Sequence, residues 1–161
     1  MFIYLGRNNF DEEMKIFNRT LVFDIGTKNT IVCENGQVVF DERTKIAFSS
    51  SKGDVEIGSR AGLYSTDDYR LVDPIVGGIV RNQEAYDKYV KCICKKLVWF
   101  PRLFLKSVVI ALPNHVVSNK SDDAAIRAYI KPFRELGVKD IKIIPQGIAA
   151  HFGSQKQKMS D

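Results

Sequence analysis

The hydrophobic period of this 161-residue chain changes at Asn82, and that change limits the folds open to it. Before Asn82, short apolar runs alternate with turn residues: Thr20 to Ile25 reads as a strand, and Ile31 to Cys33 with Val38 to Phe40 reads as a hairpin about Asn35-Gly36. Asn-Gly is the strongest short hairpin signal, because a type I′ turn needs positive φ at both central positions. Lys45 to Ser49 supplies a third strand. Then "SSSKGD" breaks the pattern, and residues 50–75 read as an irregular insertion with a short strand, Val55 to Ile57, and a short helix from Ser59.

After Asn82, Tyr86, Tyr89, Val90, Ile93, Leu97 and Phe100 recur every three or four residues with lysines between them, which predicts an amphipathic helix ended by Pro101. "SVVIAL", residues 107–112, is a continuous apolar run suited to a strand covered on both faces. Ser121 can cap a helix reaching Leu136, kinked at Pro132 and stopped by Gly137. Ile141 to Ile144 is a last strand, and "GIAAHFG" opens a last helix. The order βββαβαβα predicts an α/β fold, a mixed sheet with helices on both faces joined by right-handed crossovers. Ribonuclease H-like domains have this order.

Composition sets the class. With 45% apolar and 27% charged residues, the chain suits one soluble globular domain, here residues 20–154 between an N-terminal extension, 1–19, and a polar tail, 155–161. The net charge of +5 is spread from Arg7 to Lys158 without a basic block, so no specific nucleic-acid partner is expected. Three cysteines, an odd number, and no signal-peptide pattern point to a reducing, cytoplasmic compartment. In the extension, Phe10, Met14 and Phe17 fall at helical spacing among Asp11, Glu12 and Glu13. Such a stretch makes a peripheral membrane contact, or else packs on the domain or stays partly disordered, and its acids oppose anionic lipid.

Asp24 is the candidate for chemistry. It ends an apolar strand and meets a Gly-Thr turn at once, and a carboxylate there needs a partner to offset its lost hydration. In one reading the N–H groups of Gly26, Thr27, Lys28 and Asn29 line a phosphate nest, Thr27 and Thr30 offer hydroxyls, and Asp24 seats Mg²⁺ through water. In the other, Asp24 caps the turn by accepting N–H bonds from Gly26 or Thr27, and Lys28 faces solvent. The spacing alone leaves both open. His115 and His151 lack any Cys or His partner at ligand spacing, and Cys92 and Cys94 point to different sides of their helix, so a transition-metal site is not expected. Trp99, Phe100, Phe104 and Leu105 read as a satellite core, or as a partner surface if exposed.

"DIGTKNT" resembles the first phosphate loop, D-x-G-T-x-x-T, of the actin, sugar-kinase and DnaK ATPases, most of all in the MreB branch. "VEIGSRA", "PIVGGIVRNQEAYDKYV", "VVIALPNHV" and "LGVKDIKIIPQGIAAHFGS" follow in the order of that superfamily's first lobe, so the likeness covers nearly all of residues 20–154. The resemblance implies ATP and Mg²⁺ as cofactors, with Asp24, Gly26, Thr27, Asn29 and Thr30 at the phosphates and metal. It makes Gln146 the residue that orients the attacking water. A neutral amide positions water but is a poor base, which implies slow hydrolysis. Gly77 and Asn82 stand where MreB carries Asp. The chain ends before the second lobe that closes the site, so a half-site is expected, with self-assembly or another actin-like chain as partner. Two other classes stay in view: a scaffold module that binds no nucleotide, and a ribonuclease H-like nucleic-acid binder. The latter is disfavoured because Leu112-Pro113-Asn114 brings no carboxylate where two-metal cleavage needs one.

Overall fold

The computed structural model describes residues 19–49, 53, 55–64, 68–118 and 123–147. The extension with Phe10, Met14 and Phe17, the Ser121 cap, His151 and the tail lie outside the described residues.

The main sheet grows from β1 (Arg19–Ile25), whose alternate residues Leu21, Phe23 and Ile25 are fully buried. β2 (Asn29–Glu34) and β3 (Gln37–Arg43) follow as an antiparallel meander. The turn between them is as expected: Asn35 has φ 52° and Gly36 φ 79°, both in the left-handed region. On the other side of β1 lie β9 (Leu105–Leu112) and β10 (Asp140–Pro145), each parallel to its neighbour, giving the order β10-β9-β1-β2-β3. The central strands need crossovers because they are parallel, and two helices supply the covering layer. α1 (Gln83–Leu97) buries Tyr86, Tyr89, Val90 and Ile93 against the face that carries Phe23 and Ile110. α4 (Asp123–Glu135) adds Tyr129 and Phe133, the latter edge-on to Phe23 with ring centroids 4.9 Å apart. Residues 146 and 147 are helical. The mixed α/β fold expected from the element order is therefore present.

Several local expectations are corrected. Lys45 to Ser49 does contain a strand, β4 (Ile46–Phe48), but it leaves the main sheet and pairs with β5 (Val55–Ile57) and β6 (Arg70–Val72) in a separate three-stranded sheet. The short helix after β5 is a 3-10 helix, Gly58–Leu63, in which Glu42 Oε2 accepts the Ser59 N–H at 3.0 Å. A two-residue hairpin, β7 (Ile75–Val76) and β8 (Ile79–Val80), turns through Gly77-Gly78. α1 stops at Leu97, short of Pro101, and Val98 is extended. Pro101 then opens its own short helix, α2 (Pro101–Phe104), at the first helical position, where its missing N–H costs nothing. A last short helix, α3 (Asn114–Ser118), follows β9.

Pro132 stays inside α4, and the reason is local. Its ring offers no N–H to the Ala128 carbonyl, and Gln83 Nε2 on α1 donates to that oxygen at 3.0 Å in its place. The same amide donates to Asp87 Oδ1 at 2.6 Å, while Lys131 pairs with Asp87 from α4. The helix-breaking residue thus becomes part of the weld between the two helices.

Candidate functional site

The parallel strands β1, β9 and β10 end side by side, Asp24 opposite Ala111 and Pro145 opposite Leu112. Open α/β sheets collect ligand groups beyond these carboxyl ends. Here the ends deliver Asp24 from β1, Pro113-Asn114 from β9 and Gln146-Gly147 from β10. Gln146 Nε2 donates to Asp24 Oδ1 at 2.7 Å, joining residues 122 positions apart. Gly147 packs on Asn114: its N–H lies 3.5 Å from Asn114 Oδ1, and a Cβ there would come within 3.2 Å of Nδ2. Asp24 is exposed and Gln146 half-buried, so the pair faces solvent across the mouth of the site.

The turn between β1 and β2 is tight. Gly26 N–H donates to the Asn29 carbonyl at 2.9 Å, and a Cβ on Gly26 would lie 3.1 Å from that oxygen. The close approach needs glycine. It also takes one donor from the expected nest, because the Gly26 N–H is spent inside the turn. Thr27 Oγ1 accepts the Gly78 N–H at 3.1 Å, and Tyr129 donates its hydroxyl to the Gly78 carbonyl at 2.9 Å. Gly78, at φ 72°, sits so near Pro113 that a Cβ would fall 2.8 Å from its Cγ. The double-glycine hairpin therefore buttresses the turn from behind. Asn82, instead of facing the site, caps α1 by accepting the Ala85 N–H at 2.9 Å.

Thr30 does not offer its hydroxyl to the open side of the turn. It is fully buried, its Oγ1 2.9 Å from that of Thr44, and Tyr89 lies beside both. Burial pushes the Tyr89 hydroxyl up to about 12, so it stays protonated and donates to the Arg43 carbonyl at 3.1 Å. Lys28 is exposed and its carbonyl accepts the Thr44 N–H at 2.9 Å. On the far flank of the turn a cavity of about 580 Å³ takes Thr27, Lys28 and Asn29 as one wall and Arg43 and Lys45 as another. Asp24 and Gln146 do not line it. Its positive wall suits an anion, although Lys45 is already paired with Asp73 at 2.8 Å.

Five sequence-named residues, Asp24, Gly26, Thr27, Lys28 and Asn29, thus gather at one strand end with Gln146 beside them, while Thr30 supports from within. A family model described as MreB/Mbl protein matches residues 18–158. The chain belongs to the MreB/Mbl family. Two solved structures have the same fold. One is MreB5 of Spiroplasma citri bound to ADP, with a TM-score of 0.62, 22% identity, and 80% of this chain against 38% of that one. The other is MreB5 of the same organism bound to AMPPNP, with a TM-score of 0.61, 22% identity and the same coverage. Among curated proteins none matches. The chain spans 38% of the length of each solved structure, so it corresponds to part of an actin-like ATPase fold.

In this MreB/Mbl-family chain, sequence reasoning missed Thr44, Gly78, Asn114 and Tyr129. Only Gly78 carried a signal, the Gly-Gly pair of a tight turn. The others act through bonds between distant segments, which no local pattern reveals. Among the described residues no three His, Cys, Asp or Glu side chains converge on a metal position.

Proposed function

We propose that this chain is a nucleotide half-site of an MreB-like, cytoplasmic cell-shape protein, completed by a second lobe or another actin-like chain in a filament. The observation that supports the reading is the Gln146–Asp24 hydrogen bond, which brings an amide and a carboxylate together at one strand end beside the glycine turn. The donor set fits Mg²⁺ held mainly through water: one carboxylate, Asp24, whose Oδ2 is left for a hydrated cation while Oδ1 holds Gln146. The metal would neutralise phosphate charge. Gly26 lets the backbone approach a phosphate, the Thr27 hydroxyl proton can donate because its oxygen already accepts from Gly78, and Lys28 adds charge from the rim. Gln146 aims a water without taking its proton, so hydrolysis is slow and needs the closing lobe.

A second reading has its own observation. Gln146 already spends a donor on Asp24, and Gly26 N–H is spent on Asn29, so the site is partly self-satisfied. That favours a scaffold that keeps the fold without nucleotide. Sedimentation of the 161-residue chain separates the two: assembly that grows with Mg²⁺-ATP and is lost in Asp24→Ala supports the half-site, and assembly indifferent to both supports the scaffold.

A further inference from the structure

Of the expected satellite core near Pro101, Leu105 is buried and Phe104 packs on the core, while Trp99 and Phe100 are exposed. The unpaired charge lies elsewhere, in the open cavity of about 580 Å³ beside the β1–β2 turn. That volume falls among those of small-molecule sites, on the order of 300–1,000 Å³. Three separate stretches wall it: the turn at Lys28, the end of β3 at Arg43 and Lys45, and the approach to β7 at Asp73. Neither Asp24 nor Gln146 lines it, so it stands apart from the proposed nucleotide half-site.

Three cations against one acid leave the lining side chains a net charge of +2. Asp73 holds Lys45 at 2.8 Å, but among the described residues Lys28 and Arg43 have no acidic partner. The nearby backbone oxygens are already engaged. The Lys28 carbonyl accepts the Thr44 N–H at 2.9 Å, the Asn29 carbonyl the Gly26 N–H at 2.9 Å and the Lys45 carbonyl the Gly58 N–H at 3.0 Å. The Arg43 carbonyl accepts both the Lys45 N–H at 2.9 Å and the Tyr89 hydroxyl at 3.1 Å. What the cavity has left to offer is donors: the Arg43 guanidinium, the Lys28 ammonium and the proton of the Thr27 hydroxyl, whose oxygen accepts from Gly78. The same bonds fix the walls. Thr44 ties the end of β3 to the turn through its N–H and, by way of Thr30, through its hydroxyl, so the two unpaired cations are placed before any ligand arrives.

We propose that this cavity is a metal-independent anion site that takes a diphosphate group, with Lys28 and Arg43 as its two cationic contacts and the Thr27 hydroxyl as a neutral donor. The guanidinium fork matches a pair of phosphate oxygens, and the lysine serves as a point charge. A single carboxylate would answer only one of the two unpaired cations. A diphosphate carries charge along its length and answers both walls. Asp73 opposes the ligand and occupies Lys45, which limits how tightly the site holds it.

Calorimetric titration of sodium pyrophosphate into the 161-residue chain, with EDTA to remove divalent ions, tests the site. The expected result is one-to-one binding that weakens as salt is raised, because the contacts are exposed and screened. K28Q/R43Q removes both unpaired cations and is expected to weaken binding about tenfold or more, the scale of a lost charge-assisted contact. Both side chains are exposed, so the variant is expected to keep the fold, which thermal unfolding without ligand checks. Asp73→Asn deletes the cavity's acid and frees Lys45, and is expected to tighten binding. Asp24→Ala is expected to leave it unchanged, which separates this site from the half-site, whose own failure would show with Mg²⁺-ATP and not here. In the Asp24→Ala background, metal-free ADP distinguishes the sources of the group. Displacement of pyrophosphate by ADP assigns the tail of a nucleotide, no displacement assigns the free anion, and the site stands in both cases. No heat at millimolar pyrophosphate overturns the proposal, as does equal heat from the native chain and K28Q/R43Q. Binding lost in Asp24→Ala also overturns it, by moving the anion to the strand ends.

Discussion

At the scale of single residues, buried polar groups here come in satisfied pairs, and breaking one pair should cost more than its net worth. Thr44→Val leaves the fully buried Thr30 hydroxyl without its 2.9 Å partner. The expected loss is about 1–3 kcal/mol in a denaturant titration, the desolvation penalty of an orphaned buried group. Gln83→Ala removes the donor that stands in for the missing Pro132 N–H, with an expected cost of about 1–2 kcal/mol. The cost should shrink when Pro132→Ala restores a backbone donor, a coupling that a double-mutant cycle reads directly. Asp24 was legible as an acid in need of a partner because a charge at the tip of an apolar strand is conspicuous. Its nearest side-chain partner was visible only through family likeness, since nothing in residues 21–30 announces Gln146. Thr30 misled because a threonine in a hydroxyl-rich turn looks available, and only the strand's alternation places it inward.

Among the elements, those legible in the sequence were the ones whose signal is local. The Asn35-Gly36 turn, the apolar run of β9 and the α1 stripe each carry their cause within a few residues. What escaped was decided between elements. β4 leaves the main sheet because its partners, β5 and β6, come from the stretch read as irregular. Pro101 looks like a stop for α1, but the helix ends at Leu97 and the proline begins α2. The β7–β8 hairpin is too short to show a period, yet it carries the contact that braces the turn between β1 and β2. Its two glycines should behave differently. Gly77, at φ 60°, has nothing within 4 Å of a built Cβ, whereas Gly78, at φ 72°, would meet Pro113. Gly77→Asp is therefore expected to be tolerated, as Asp accepts the left-handed region. Gly78→Ala is expected to lose about 1–3 kcal/mol more, from overpacking on top of the backbone strain. Thermal unfolding of the two variants side by side checks the order.

Over the whole molecule, the ends of the sheet and α1 are tied by Arg19, which binds Glu34 through both carboxylate oxygens at 2.6 and 2.5 Å and reaches the Leu97 carbonyl. The Arg19 hydrogen bonds hold the Glu34 carboxyl below its usual range. A lowered folded value means that this contribution is fully present above the ordinary carboxylate range and is lost as pH falls through the lowered one. Acid unfolding of Glu34→Gln should accordingly lack that part of the pH dependence, while the native chain keeps it. In the proposed reading the same frame offers the phosphates one wall of a cleft, and phosphates left in water make weak contacts. The account therefore rests on whether Asp24 and its turn hold a hydrated cation and phosphate at all. Calorimetric titration of Mg²⁺-ATP into the 161-residue chain, repeated with Asp24→Ala, tests this most directly. The account predicts weak, Mg²⁺-dependent heat that vanishes in the variant, and equal heat from both proteins, or none from either at millimolar nucleotide, would contradict it.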